Sequence, residues 1–233
     1  MKKPLKITLI VLALLLVLVS AAAVWQRENI KALYIAYKYS SPDEISTLIE
    51  ENDKIVTDAL KEYNAGEMRE LDEAQKKSLE EGILSEKEAI DIILGRKSGG
   101  NMPSNSGIPS FENKKNKTEV DEKIAEQIAK MYVLKAQYTS ALEGLRTSII
   151  SEYNALPKDE RTKASKEALG KKAIGMAANL ESSCDASVNA VISELKSILS
   201  SAGRDMSLVS SVQTAYNNEK QLKKAYYINM YVK

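Results

Sequence analysis

Residues 118–156 read TEVDEKIAEQIAKMYVLKAQYTSALEGLRTSIISEYNAL. Apolar side chains recur through this stretch in steps of four and three, with Lys135 as a polar member of the series. Such steps keep one face of an α-helix apolar and are typical of coiled-coil packing. Thr118 and Asp121 form a start signal, and Pro157 ends the pattern. We predict one long helix with a seam of Ile124, Ile128, Met131, Tyr138, Leu142, Leu145 and Ile149.

A second long helix follows a turn at residues 157–160 and extends to about residue 202. Its apolar positions recur every eleven residues, which favours a straight or slightly right-handed course. The first row of this repeat consists of Leu169, Leu180, Val191 and Ala202. A third helix then begins at a cap supplied by Asp205 or Ser207. We therefore expect residues 118–233 to form a long antiparallel bundle of three helices with coiled-coil-like packing.

The C-terminal nonapeptide AYYINMYVK is richer in aromatic residues than any stretch upstream. Adjacent residues on a helix point about 100° apart, so these side chains cannot all face one core. They either pack against two neighbouring helices or form an exposed tail that docks on a partner or a membrane interface. The candidate partner-binding residues are Tyr226, Tyr227, Met230 and Tyr231.

On the N-terminal side of the bundle, residues 96–117 are rich in glycine and proline and show no periodicity. We interpret them as a flexible linker. Residues 43–95 contain sixteen acidic and six basic side chains, and they predict short acidic helices. This charge imbalance suggests that the acidic segment docks on the more basic C-terminal bundle.

Two local signals place the first and the third of the short acidic helices. Ser41 and Pro42 supply a cap and a first helical residue. A second helix is expected from Glu67 to about Glu81, and the third follows a capping box formed by Ser85 and Glu88. Residues 25–39 should form a further, juxtamembrane helix with Leu33, Tyr34, Ala36 and Tyr37 on one side.

The most apolar stretch of the chain is residues 7–24, ITLIVLALLLVLVSAAAV, which carries no charge. Its 18 residues would make a helix of roughly 27 Å, close to the hydrocarbon thickness of a bilayer. Three lysines within residues 1–6 precede it, and we expect this tail to be cytoplasmic with the rest of the chain on the other side. The predicted membrane-anchor residues include Ile7, Leu9, Leu14, Leu18 and Trp25.

The same stretch also resembles a secretory signal peptide. Small residues at 19–21 or 21–23 would suit a cleavage site. Against cleavage, residues 21–39 contain neither glycine nor proline, so the helix is expected to continue out of the bilayer. We favour a retained signal anchor and keep a secreted chain as the alternative.

The composition offers little for catalysis. Histidine is absent, which removes the commonest general base and the commonest metal ligand. Cys184 is the single cysteine, so it is either a small core residue or forms a disulfide across a homodimer seam. Acidic pairs such as Glu50 and Glu51 lie beside lysines on polar helix faces. The sequence therefore predicts no catalytic residue, no cofactor and no metal site, and the acidic segment argues against nucleic acid as a partner.

These features together predict an all-α, membrane-anchored protein of the cell envelope that acts outside the cytoplasm as a non-catalytic scaffold or interaction module. It would contact a protein partner through its helix faces, and self-association into a homo-oligomer is left open. One alternative is a secreted helical surface or assembly protein. Another is an envelope enzyme, or a regulator of one, whose site leaves no sequence signature.

Overall fold

The computed structural model describes residues 30–63, 68–96 and 118–232, with side chains described as far as residue 229. These residues form helices and connecting turns, and no strand occurs among them, which confirms the all-α class. The helices are α1 (residues 30–38), α2 (Pro42–Lys61), α3 (Glu73–Glu80), α4 (Glu86–Ile93), α5 (Glu119–Ala155), a 3-10 turn (Lys158–Glu160), α6 (Lys163–Ser201) and α7 (Ser207–Val232).

The predicted cytoplasmic tail and the apolar stretch lie outside the described residues. This applies to the anchor residues Ile7, Leu9, Leu14, Leu18 and Trp25, and to residues 97–117 of the predicted linker. Within the described ranges, no helix is both long and apolar enough to span a bilayer.

The chain divides into two compact units. Among the described residues, the first unit comprises 30–56 and 210–232, and the second comprises 57–63, 68–96 and 118–209.

In the first unit, α1 packs against α2 and the C-terminal part of α7. Their shared core consists of Ala36, Ile45, Ile49, Leu222 and Ala225. The amide of Asn229 donates hydrogen bonds to the carbonyl oxygens of Ala36, at 2.8 Å, and Tyr39, at 2.9 Å. Carbonyl groups at the end of a helix have no partner within that helix. Asn229 therefore closes the C-terminal end of α1, a contact that the sequence did not predict.

The predicted start of α2 is confirmed. Pro42 is its first residue, and the hydroxyl of Ser41 accepts a hydrogen bond from the backbone N–H of Glu44 at 3.3 Å.

In the second unit, α3 and α4 pack on the first half of α5. Their contact is an apolar cluster of Leu71, Leu79, Ala89, Ile92, Ile93, Ala129, Val133 and Ala136. An ion pair between Arg96 and Glu126, 2.7 Å apart, lies at its edge with both side chains about two-fifths exposed. The acidic helices therefore dock on α5 mainly through apolar side chains.

The capping box of Ser85 and Glu88 is present at the start of α4, as predicted. The helix expected from Glu67 was wrong for residues 68–72, because α3 begins at Glu73. The carboxylate of Asp72 accepts a hydrogen bond from the N–H of Gln75 at 2.9 Å and starts the helix there.

Helices α5 and α6 lie antiparallel and contact each other along their length. The predicted box of Thr118 and Asp121 caps α5, and α6 ends where Gly203 takes a positive φ of 62°. The fully buried residues of the pair are concentrated away from the connecting turn. From residue 137 to residue 187 no side chain is fully buried, so this part is a two-helix arm.

Candidate interaction site on the first unit

Helix α1 carries a row of large apolar side chains that remain exposed. Their exposed fractions are 60% for Ile30, 44% for Leu33, 66% for Tyr34 and 64% for Tyr37. Positions spaced by three, four and seven residues lie on one face of a helix. We call this row of four residues the α1 stripe.

The opposite face of α1 forms the core contact of the first unit. Ala32 and Ala36 are fully buried there, and Ile35 packs beside them against α2 and α7. At 100° per residue, the centres of the two faces are about 160° apart. The sequence grouped Ala36 with the tyrosines, and this was wrong, because Ala36 belongs to the packed face. Helix α1 is therefore apolar on two faces, of which one is used within the unit.

Lys31 and Lys38 lie between these two faces, both on the same side of the helix. Their charges therefore flank the α1 stripe on one edge and do not interrupt it.

A shallow groove of about 290 Å³ runs along the first unit beside α1. Its walls are mainly apolar, and its polar lining includes Lys31 and Glu51 at exposed positions. The groove lining is Lys31, Ile35, Leu48, Glu51, Asn52, Ile55, Asn218, Gln221 and Leu222.

Asn52 is the most unusual polar residue of this groove, because its side chain is only 5% exposed. Its amide N–H donates to the carbonyl oxygen of Ala215 at 2.8 Å, which fixes the orientation of the side chain. The carbonyl oxygen Oδ1 of Asn52 accepts no hydrogen bond from any described group and is itself shielded from solvent. A ligand in the groove could therefore reach this oxygen only after its neighbours moved. With one acidic side chain in its lining, the groove lacks a pair of converging acids for general acid–base chemistry.

The structure places two of the four candidate partner-binding residues predicted at the C-terminus. Tyr226 packs against the core of the first unit, and Tyr227 is half-buried. Their rings meet edge to face with centroids 5.5 Å apart. Side chains of Met230 and Tyr231 lie beyond the described ones. Packing within the unit accounts for Tyr226, and the docking role of the four residues stays a prediction.

In the second unit, the strongest shift in acidity belongs to Tyr138 on α5. Burial raises the pKa of its hydroxyl well above the ordinary value, and the nearby Glu181, Cys184 and Asp185 raise it further. Cys184 is half-buried on α6. The Tyr138 hydroxyl is therefore protonated at neutral pH. Across the described ranges, no cluster of three or more His, Cys, Asp or Glu side chains could hold a metal ion.

Sequence reasoning placed Leu33, Tyr34 and Tyr37 on one side of this helix, but it left out Ile30 and added Ala36. A signal was present, since residues 30, 33, 34 and 37 are all large and apolar. Because the remaining residues of α1 include apolar side chains as well, periodicity alone could not show which face packs inside the unit.

No protein-family model matches this chain, and comparisons with curated proteins and with solved structures found no match either.

Proposed function

We propose that this chain is a single-pass, membrane-anchored protein of the cell envelope whose helical body works outside the cytoplasm as a non-catalytic interaction module. Residues 7–24 supply the anchor, with Ile7, Leu9, Leu14 and Leu18 in the hydrocarbon layer and Trp25 at its edge. The antiparallel pair of α5 and α6 forms the longest part of this body. The proposed activity is binding of a protein partner, and it requires no cofactor, metal or nucleic acid.

The observation that carries this proposal is the α1 stripe. Four large apolar side chains stay exposed on α1, whose first described residue, Ile30, lies six residues after the apolar stretch ends. Contiguous exposed apolar surface on a protein often marks an interaction site, because leaving it in water is unfavourable. This surface is therefore the part of the described chain best suited to a partner.

Site-specific photocrosslinking in intact cells tests the interaction. A photoreactive residue at position 34 should yield a discrete covalent adduct, because Tyr34 lies in the α1 stripe. The matched control is position 46, since Ser46 is exposed on α2 of the same unit but lies outside the stripe. Equal, diffuse crosslinking at both positions would show that the stripe binds nothing specific.

A second candidate is a released helical surface or assembly protein, favoured by the small residues at 19–23. The intact mass of the protein purified from cells separates the two candidates. A full-length chain that resists extraction at alkaline pH supports the anchored form, and a chain that starts within residues 20–24 supports the released form.

A further inference from the structure

The groove on the first unit combines a mainly apolar lining with a buried hydrogen-bond acceptor that has no donor. Ile35, Leu48 and Leu222 contribute apolar side chains, and Asn52 lies beside them with only 5% of its side chain exposed. Oδ1 of Asn52 accepts no hydrogen bond from any described group, while its amide donates to the carbonyl oxygen of Ala215. A buried acceptor without a donor is unfavourable. A ligand that brings an N–H group to this oxygen would therefore stabilise the folded unit.

Two side chains of opposite charge border the same groove. Lys31 lies on α1 and Glu51 on α2, both at exposed positions. Among the residues that the structure describes, neither side chain has an ion-pair partner. Glu51 and Asn52 are consecutive residues that both line the groove, so the carboxylate and the buried acceptor belong to α2, and the positive charge belongs to α1. The groove therefore offers a negative and a positive group on different helices.

These groups fit one class of ligand. An ammonium group carries three N–H donors, so it can pair with Glu51 and also donate to Oδ1 of Asn52. A carboxylate on the same molecule can pair with Lys31. An apolar body between the two charges would cover the apolar side chains of the lining. A molecule with all three features is a zwitterion such as an apolar amino acid or a short apolar peptide with free termini.

Size and charge argue against other ligands. The groove has a volume of about 290 Å³, just below the roughly 300–1,000 Å³ typical of pockets for drug-sized molecules. One lysine in the lining is little for a polyphosphate, and one carboxylate is too few for a dedicated metal site. A purely apolar ligand would leave Oδ1 of Asn52 without a donor.

The shielding of Asn52 limits the affinity of such a ligand. Because Oδ1 is shielded from solvent, an ammonium group reaches it only after a local movement of the lining. A binding-competent state that is not the dominant one lowers the apparent affinity by its population. The groove is also shallow. We therefore expect weak binding, with a dissociation constant of roughly a millimolar.

We propose that the groove formed by α1, α2 and α7 is a binding site for a small zwitterionic ligand with an apolar body, of the amino-acid or dipeptide class. In this site Glu51 and Asn52 bind the ammonium group, and Lys31 binds the carboxylate. The inference goes beyond the proposed interaction module and depends on neither the membrane anchor nor the α1 stripe.

Saturation-transfer NMR on the purified full chain in detergent tests the site, with detergent alone as the blank. The probe is leucyl-leucine with free termini. The matched control is N-acetyl-leucyl-leucine amide, which has the same apolar body but no charge. We expect saturable binding of the free dipeptide and about tenfold weaker binding of the capped one. Equal affinity for the two probes, or no saturable binding of the free dipeptide, would overturn the proposal.

Substitutions of the two charged residues locate the probe. Lys31→Ala and Glu51→Ala should each weaken binding of leucyl-leucine about two- to five-fold, because exposed ion pairs contribute modestly. The controls are Lys38→Ala and Glu50→Ala, which are exposed on the same two helices but lie outside the groove lining. They should leave the affinity unchanged. If all four variants weaken binding equally, the probe binds elsewhere and the proposal fails.

Asn52→Leu tests the buried acceptor. Leucine is similar in size but has no oxygen, so binding of leucyl-leucine should weaken about tenfold. Circular dichroism and thermal unfolding show whether the variant folds, because Asn52 also bonds to the carbonyl oxygen of Ala215. Unchanged affinity in a folded variant would contradict the proposal. If the variant does not fold, the exposed Lys31 and Glu51 variants still decide between the outcomes.

A photoreactive residue at position 55 distinguishes the ligand from a segment of the chain itself. Ile55 lines the groove and is 36% exposed. A crosslink from position 55 to residues 1–29 or 97–117 that leucyl-leucine does not displace would show that the chain fills its own groove, against the proposal. Protection of position 55 by the free dipeptide, and not by the capped one, would support it. Crosslinking at position 34 in cells reports on the interaction module separately, so failure of one proposal is distinguishable from failure of the other.

Discussion

Asp121 is a carboxylate buried in the second unit with only 1% of its side chain exposed. Its Oδ2 accepts hydrogen bonds from the N–H and the hydroxyl of Thr118, and its Oδ1 pairs with the Arg204 guanidinium at 2.6 Å. Burial would raise the pKa of this carboxyl, but the contacts with Thr118 and Arg204 together outweigh burial and lower it below its ordinary value of 3.8. Asp121 is therefore charged in the folded protein and links the start of α5 to the end of α6.

We expect Asp121→Asn to reduce the free energy of unfolding by about 2 to 3 kcal/mol, because the amide can still cap α5 but leaves Arg204 without its charged partner. Denaturant unfolding at neutral pH measures this loss. Glu122→Gln, at the next and exposed position, is the control and should change stability by less than about 0.5 kcal/mol. Similar losses of stability in the two variants would show that the buried charge of Asp121 does not stabilise the folded protein more than an exposed charge does.

The pH dependence of stability follows from the same carboxyl. Because its folded pKa lies below the unfolded one, the stabilising contribution is complete above the ordinary value near 3.8 and is lost as the pH falls towards the folded pKa. Relative to the parent, Asp121→Asn should therefore lose least stability at the acid end of a pH titration. If the difference in free energy of unfolding between Asp121→Asn and the parent stayed constant with pH, the lowered pKa of Asp121 would not be the source of the effect.

At the scale of the helix, two glycine residues differ in backbone conformation, one just after the end of α6 and one in its interior. Gly203 follows the end of α6 with φ of 62°, a conformation that other residues adopt at a cost, although an added Cβ would meet no atom within 4 Å. Gly175 lies in the interior of α6, is exposed, and has equally open surroundings. The two positions therefore differ in backbone conformation and not in the room available for a Cβ atom.

This difference predicts opposite signs for one substitution. Gly203→Ala should destabilise the second unit by about 1 kcal/mol, whereas Gly175→Ala should stabilise it by about 0.5 to 1 kcal/mol through lower flexibility of the unfolded chain. Thermal unfolding of the two variants beside the parent measures both effects. A stabilising Gly203→Ala would mean that the end of α6 adopts another conformation in solution.

The docking of α3 and α4 on α5 depends on apolar contacts more than on charge, although their charge pattern suggested otherwise. Ile93 is 1% exposed within this cluster, and Ile93→Ala should cost about 2 to 5 kcal/mol. Arg96→Ala removes an exposed ion pair and should cost less than about 1 kcal/mol. Urea unfolding with and without 1 M salt distinguishes the two contributions. Strong weakening of the docking by salt would contradict the apolar account.

Over the whole molecule, burial is uneven, and stability should be uneven too. The two-helix arm at residues 137–187 has no fully buried side chain, whereas Ile124, Ile128, Leu195 and Leu199 lie in the buried part of the same helices. Few buried contacts lower the free energy of local opening. Hydrogen exchange of the full chain should therefore proceed faster in the arm than in residues 121–136 and 188–199. Uniform protection along α5 and α6 would disagree with this distribution.

Local sequence signals predicted most of the helices, because helix caps and helical periodicity connect residues only three or four positions apart. Thr118 with Asp121 and Ser85 with Glu88 are two such signals, and both capping boxes are present. The same kind of reasoning failed at residues 68–72, where Met68 and Leu71 have helical spacing. Asp72 is a better helix cap than an interior residue, and the chain begins α3 after it.

Long-range contacts could not be predicted from one sequence. The amide of Asn229 donates a hydrogen bond to the carbonyl of Ala36, 193 residues away in the sequence, and no local pattern predicts such a pair. The exposure of the α1 stripe has the same origin, since it depends on which side of α1 is covered by helices that are distant in the sequence. The candidate site was therefore visible as a set of apolar residues but not as a surface.

The contact made by Asn229 has a mechanical consequence. Its amide holds the carbonyl groups of Ala36 and Tyr39, so the end of α1 is fastened to the C-terminal part of α7 as well as to α2, which follows it in the chain. Tension applied to α1 would therefore be shared between the covalent connection to α2 and these two hydrogen bonds to α7.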